Sequence, residues 1–543
     1  MPPRTLSLLP LLLLAAGAVN AAPPPIAWGP CDDELAAAFP GLGPRLQCAR
    51  LAVPLDHHAP SSGTLALEVL RVRAADPAQR RGNLFINPGG PGVPAFFYAA
   101  SLVANWEGDF LPSPDKRRIS ERHDVIAVQP RGLQGSTLRC RSDALLYPYE
   151  DITDDRSEAN LVAINRHAAT VAQGCQAQPL AAYINTEQTA RDLEAVRQRL
   201  GGEPLNYWGV SWGTELGAWY GALFPHQVDR MILDSNVDWT RDLYVSWAAQ
   251  GPARQEIFDR FVVDHVIRSP QVYGLGTRPQ DVQARFAGFS PASRQIVRAL
   301  FDQPETLLAV DFLDRTLKAD PSLSEAALRA HAQAHRYSPD DAVDAAAREQ
   351  ARIVIGSYFA PAREPAPLDL DPGTSVFTVV SCQSSMNMPP PAFWDDLGDD
   401  AARAYPVGGS HNAYEACAYW TGPTRVRPDM RRLSAIPGLV MLQAEYDWRT
   451  PRAGAFNARR VVPDASLVIA RGLQGHGLAY NGASACVDGV AGRFLADGLR
   501  PPRQLDCHDS AGPRRVPSYL ETLQDALHQR RDQPGRVAPP MPR

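Results

Sequence analysis

Apolar residues recur along this chain in two periods, and the switching between them is its main structural signal. Short runs rich in branched or aromatic residues, Leu65 to Val72 and Asn83 to Ile86, and the apolar run Val125 to Val128 bounded by turn residues predict strands. Leu193, Val196 and Leu200 then fall at helical spacing, which predicts a helix over Thr189 to Leu200 ended by Gly201-Gly202. A strand from Leu205 to Val210, a helix from Gly213 to Phe224 and a strand from Met231 to Leu233 follow. Strand and helix in alternation predict an α/β fold with a mostly parallel, doubly wound sheet.

Between about Thr240 and Arg432 the texture changes to amphipathic stretches such as Ala253 to Ile267 and Ala292 to Phe301, broken by Pro-rich turns at Pro361 to Pro372 and Pro389 to Pro391. Alternation resumes with strands at Gly438 to Gln443 and Ser466 to Ala470 and a helix from Cys486 to Leu495. The predicted organisation is a core in two parts, residues 22–240 and 433–510, interrupted by a helical lid over 241–432 and followed by a C-terminal helix and tail over 511–543. Trp247, Phe258 and Phe261 read as lid core.

The N-terminus adds an address. Arg4 precedes an apolar run from Leu6 to Val19, and Val19-Asn20-Ala21 sets small residues where a signal peptidase inspects them, so residues 1–21 are expected to be a cleaved signal peptide and the protein to be secreted or periplasmic. Pro10 and the short run argue against a spanning helix, and no stable membrane insertion is expected after cleavage. In an oxidising compartment the even set Cys31, Cys48, Cys140, Cys175, Cys382, Cys417, Cys486 and Cys507 suggests disulfides. Pairing of sequence neighbours closes the smallest loops and is the expected arrangement, although eight cysteines allow about 105 pairings. The close spacing of a metal site is missing, and neither metal nor cofactor is expected. Across 543 residues, 54 basic and 59 acidic side chains give a net charge of -5 with no long single-sign block, which argues against a nucleic-acid partner.

The candidate chemistry sits at the ends of predicted strands. Gly209-Val210-Ser211-Trp212-Gly213 matches G-x-S-x-G between a strand and a helix, the turn that exposes a serine Oγ while glycines on both sides prevent clashes. A serine hydroxyl needs a base oriented by an acid. Asp447 and His476 follow the two late strands in the order this chemistry uses, with Glu445 the nearest rival acid. Charge on the attacked carbonyl oxygen must meet preorganised N–H groups. The amide of Trp212 is one candidate, and that of Gly90, in Asn87-Pro88-Gly89-Gly90-Pro91-Gly92, the other. His331 and His335 stand at metal-ligand spacing but lack the intervening Glu, and read as a solvated helix face; Asp56-His57-His58 is given no role.

These stretches, with Pro130-Arg131-Gly132, the block from Tyr207 to Asp234, the run Asp447 to Pro451, the segment Cys486 to Cys507 and the spacing of the cysteine pairs, resemble the secreted tripeptidyl aminopeptidase and proline iminopeptidase group of α/β-hydrolases. The resemblance implies an α/β-hydrolase fold with an inserted helical lid domain, and Ser211, Asp447 and His476 as nucleophile, acid and base. It implies a peptide as substrate, with short units released from a free N-terminus. An esterase on the same machinery is the alternative. Gln129 stands where the group usually has Asp, and a local change is expected there. Gln383 and Ser384 stand where the group often carries a carboxylate that could hold a substrate ammonium, so another acid must do so, with Glu215 as the candidate.

Overall fold

Parallel strands buried on both faces need apolar side chains at nearly every position, and the centre of this chain's sheet is built from such runs. The computed structural model describes residues 24–108, 113–150, 153–361, 364–410, 415–478, 482–509 and 514–515. The expected signal peptide and most of the C-terminal segment lie outside them. Twelve strands occur among the described residues: β1 (Leu46–Pro54), β2 (Thr64–Val72), β3 (Asn83–Asn87), β4 (Asp124–Val128), β5 (Arg141–Leu146), β6 (Leu205–Val210), β7 (Val228–Asp234), β8 (Ala366–Asp369), β9 (Gly438–Tyr446), β10 (Ser466–Gln474), β11 (Gln504–Cys507) and β12 (Arg514–Arg515). Ten of them form one sheet in the order β1-β2-β4-β3-β6-β7-β9-β10-β11, with β12 also on β10. Only β2 runs antiparallel to its neighbours. The fold is thus the expected α/β class with a mostly parallel sheet.

The two-residue period sends alternate side chains to opposite faces. Phe85, Tyr207, Met231 and Met441 pack beneath helices Thr186–Arg199, Trp212–Leu223 and Ala453–Val461. Leu84, Trp208, Ile232 and Val440 face helices Ala95–Glu107 and Ala485–Asp497. The chain order reverses beside β3, and in an open sheet of this kind ligands bind beyond the strand carboxyl ends near such a reversal.

Helices fill the stretch between β7 and β9 and build a hydrophobic cluster of their own around Phe258, Phe286 and Leu313. Gln250–Ile257, a π-helical turn Phe258–Val263 and Asp264–Arg268 run on from one another. Phe258 is buried and Phe261 partly buried in this cluster, the lid-core role read from sequence, whereas Trp247 is buried in the cluster that packs on the sheet. Besides β1 and β11, which the sequence reading lacks, two further details depart from it. The Pro-rich break contains β8, which pairs antiparallel with β5 and so ties an early segment to the insertion, and β12 lies within the segment expected to be helix and tail.

Disulfides join Cys31 to Cys48, Cys140 to Cys175, Cys382 to Cys417 and Cys486 to Cys507, the expected neighbour pairs, and all eight cysteines are used. Such bonds persist in oxidising surroundings. Among the described residues no helix is long and apolar enough to cross a membrane.

Candidate active site

β6 is buried throughout and ends at Val210, after which the backbone turns sharply: Ser211 has φ 59° and ψ -125°. A non-glycine residue there is strained, and surrounding packing must impose it. Two glycines make the turn possible. A Cβ at Gly209 would sit 2.3 Å from the Gly213 carbonyl oxygen, and one at Gly213 would sit 2.8 Å from Asn87 O and Oδ1. The Ser211 N–H donates to Asp234 O at 2.9 Å, while Thr214 Oγ1 donates to Ser211 O at 2.6 Å. Helix Trp212–Leu223 starts at the next residue, so its positive end lies beside the serine.

β3 pairs with β6 through Asn87 and Gly209, which brings the glycine loop after β3 against this turn. Asn87 Oδ1 accepts from the Gly89 N–H at 2.9 Å. A Cβ on Gly89 would lie 2.3 Å from Val210 O, 2.9 Å from Ser211 Cβ and 3.0 Å from Trp212 N. Gly90, the next residue, has φ 107°. Gln129 is the local change anticipated: its Oε1 accepts from the Ala95 N–H at 2.8 Å and so caps the helix that follows the loop.

Asp447 follows β9, and His476 follows β10. His476 Nδ1 is hydrogen bonded to Asp447 at 2.8 Å from Oδ2 and 3.1 Å from Oδ1. The carboxylate is fixed in turn by the N–H groups of Arg449 and Thr450 on Oδ1, at 2.9 and 3.0 Å, and by Thr450 Oγ1 on Oδ2 at 2.9 Å. Glu445 is occupied elsewhere, with Gly472 N–H and Arg471 on its two oxygens. Sequence reasoning missed what pins the histidine loop: the Gly477 N–H donates to Ser235 Oγ at 2.8 Å and the Leu478 N–H to Asp234 Oδ1 at 3.0 Å. The signal available was a polar pair closing an apolar strand. A Cβ on Gly477 would come 3.1 Å from Val210 Cγ1, so this loop rests on the serine turn. Among the described residues no hydrogen bond links Ser211 Oγ to His476; such contacts tighten when substrate binds.

The expected anchors for an amine fare differently. Gln383 is buried and spent internally, its Nε2 donating to Ala181 O and Ile184 O and its Oε1 accepting from Asn185 Nδ2. Ser384 Oγ meets Thr186 Oγ1 at 3.0 Å. Glu215 has no exposed surface and so presents no face to a substrate in this conformation. Its Oε1 accepts from Trp219 Nε1 at 3.2 Å. Burial raises the Glu215 carboxyl from an ordinary 4.5 to about 7, against the pull of Arg427 and Trp219 and with some help from Asp242. The folded protein therefore holds a proton that the unfolded chain releases, and stability falls as pH rises from about 4.5 to about 7. Over this window Glu215→Gln should gain on the parent by up to about 3 kcal/mol, read from urea melts at pH 5 and pH 8. A gap that does not change with pH would contradict it.

The rejected motifs have structural uses. His331 is exposed, as expected of a solvated face, while His335 is partly buried and stacks on Phe312 with ring centroids 4.7 Å apart. His57 Nε2 meets Asp192 Oδ1 at 2.8 Å, where Asp192 also takes a bidentate contact from buried Arg131 at 2.7 Å.

Comparison with known proteins identifies the same fold. The family model of the α/β hydrolase fold matches residues 82–270, and that of TAP-like proteins matches residues 405–507. A tripeptidyl aminopeptidase of Streptomyces coelicolor is 26% identical over 514 residues, covering 92% of this chain and 89% of its own. A serine protease of Mycobacterium tuberculosis, Hip1, is 26% identical, covering 89% and 91%. A carboxylesterase B from the same species is 28% identical, covering 91% and 92%.

Proposed function

We propose that this chain, which matches the α/β hydrolase fold over residues 82–270, is an exported serine exopeptidase that releases short units from peptide N-termini through a Ser211-His476-Asp447 triad. The observation that carries this reading is the Asp447–His476 pair held on the strand ends beside the Ser211 turn. Asp447 fixes the tautomer with hydrogen on Nδ1 and leaves Nε2 as the base. Ser211 Oγ then loses its proton to His476 as it attacks the scissile carbonyl, and the N–H groups of Gly90 and Trp212 receive the oxyanion. His476 returns the proton to the leaving amine, and water releases the acyl group by the same steps in reverse.

Likeness to a tripeptidyl aminopeptidase over most of the chain supports the exopeptidase assignment, and four disulfides support export. A second reading, an esterase, is favoured by one observation. Neither Gln383, Ser384 nor Glu215 offers a free carboxylate, and a desolvated ammonium without a counter-charge is costly. The deciding experiment compares a free tripeptide anilide with its N-acetylated twin and with short and long acyl esters. The exopeptidase reading expects turnover of the free anilide to exceed that of the blocked one by at least about 100-fold, the equivalent of about 2.7 kcal/mol for one ammonium contact. Equal turnover of both, or turnover of esters alone, rejects it.

A further inference from the structure

Asp447 and His476 both stand on loops, and a loop alone holds a side chain less tightly than a strand does. In this chain the helical insertion supplies the missing restraint. Asp447 lies between two aromatic residues, Tyr446 and Trp448, and both pack against the cluster at the centre of the inserted helices. The Tyr446 ring meets the edge of Phe261 at 5.3 Å between centroids, and the Trp448 ring meets Phe301 at 5.9 Å. The Arg254 guanidinium covers both, 4.6 Å from Phe301 and 5.3 Å from Trp448. Polar contacts run in parallel. Gln250 Nε2 donates to Arg449 O at 2.7 Å, and Arg452 grips both carboxylate oxygens of Glu256 at 2.8 and 3.0 Å.

The residue after Phe301 reaches the other half of the pair. Asp302 Oδ2 accepts from Gln474 Nε2 at 2.8 Å, and Gln474 ends the strand two residues before His476. One point of the insertion, Phe301-Asp302, therefore touches the acid loop and the strand that bears the base. We propose that this point sets the register of the acid–base pair, with Trp448, Phe301, Asp302 and Gln474 as positioning residues, so that the insertion governs the rate of the chemical step as well as access to it. The inference rests on Asp447 and His476 acting as acid and base.

The test measures kcat, KM and Tm for Trp448→Ala and Asp302→Ala in the full chain. Misplacing a catalytic group by about 1 Å from a distance costs up to about 100-fold in rate, so kcat should fall about 10- to 100-fold in each while KM stays within about threefold. Trp448→Phe and Asp302→Asn, which keep a ring and an acceptor, should restore most of the rate. Leu328→Ala, in the same cluster but on a helix that packs on Asp341–Tyr358, should lower Tm and leave kcat alone. If Trp448→Ala does not fold, Asp302→Ala still decides the matter. A lowered Tm with unchanged kcat, or an effect confined to KM, overturns the proposal. Full turnover by Asp447→Ala is a different outcome: it removes the triad reading and leaves these residues nothing to position.

Discussion

Ser211→Ala should lower turnover by about six orders of magnitude and abolish labelling by a fluorophosphonate, while the protein remains folded. The size follows from the chemistry. A triad works as one unit, and without the hydroxyl neither the base nor its acid has a proton to move, so only the residual help of the oxyanion site and substrate binding is left. The structural side effect is small. Ser211 keeps φ 59° because Asp234 O, Gly209 and Gly213 hold it there, and alanine meets the same restraint with the same β-carbon. Tm should stay equal or rise slightly, since a strained functional residue is commonly held at some cost to stability. Labelling that persists in the variant, at any serine, would show that the nucleophile lies elsewhere.

What the sequence discloses about this site divides by range. Ser211 is legible because everything that defines it is local: β6 is buried at all six positions and is apolar apart from Asn206, and the two glycines sit where the turn needs them. Asp447 and His476 are legible because chain order and the distance between two late strands limit the choices, and the fold brings the two side chains within hydrogen-bond distance. Strand β1 was not predicted, since its positions alternate irregularly between buried and exposed and carry no clean period. The pairing of β5 with β8 was beyond reach for another reason: both strands are largely exposed, and Arg141 and Asp369 meet only because the fold brings distant segments together. The same holds for Gln383, whose partners at Ala181, Ile184 and Asn185 lie on the other side of the insertion boundary, and for Asp302 beneath Gln474. Nothing near these residues in sequence announces the partner; a polar side chain at 0% exposure, as at Gln383, is visible only after folding.

Asp447→Asn should reduce kcat by about 10⁴ with little change in KM or Tm, and the reason is the tautomer of His476. In the native carboxylate every neighbour donates: Arg449 N–H and Thr450 N–H to Oδ1, Thr450 Oγ1 and the ring Nδ1 to Oδ2. An asparagine has one acceptor and one donor group to place. Two backbone N–H groups require the oxygen at the Oδ1 position, so the amide NH₂ must take the place of Oδ2 and point at His476 Nδ1. The ring then accepts at Nδ1 and carries its hydrogen on Nε2, where it cannot take the proton of Ser211. Volume and burial barely change, which is why the loss should fall on kcat and not on folding. Glu445→Gln is the matched control, because Glu445 is engaged by Gly472 and Arg471 and is not hydrogen bonded to the histidine. An Asp447→Asn enzyme within tenfold of the parent, or a Glu445→Gln enzyme that is the more damaged of the two, would assign the acid to the wrong residue.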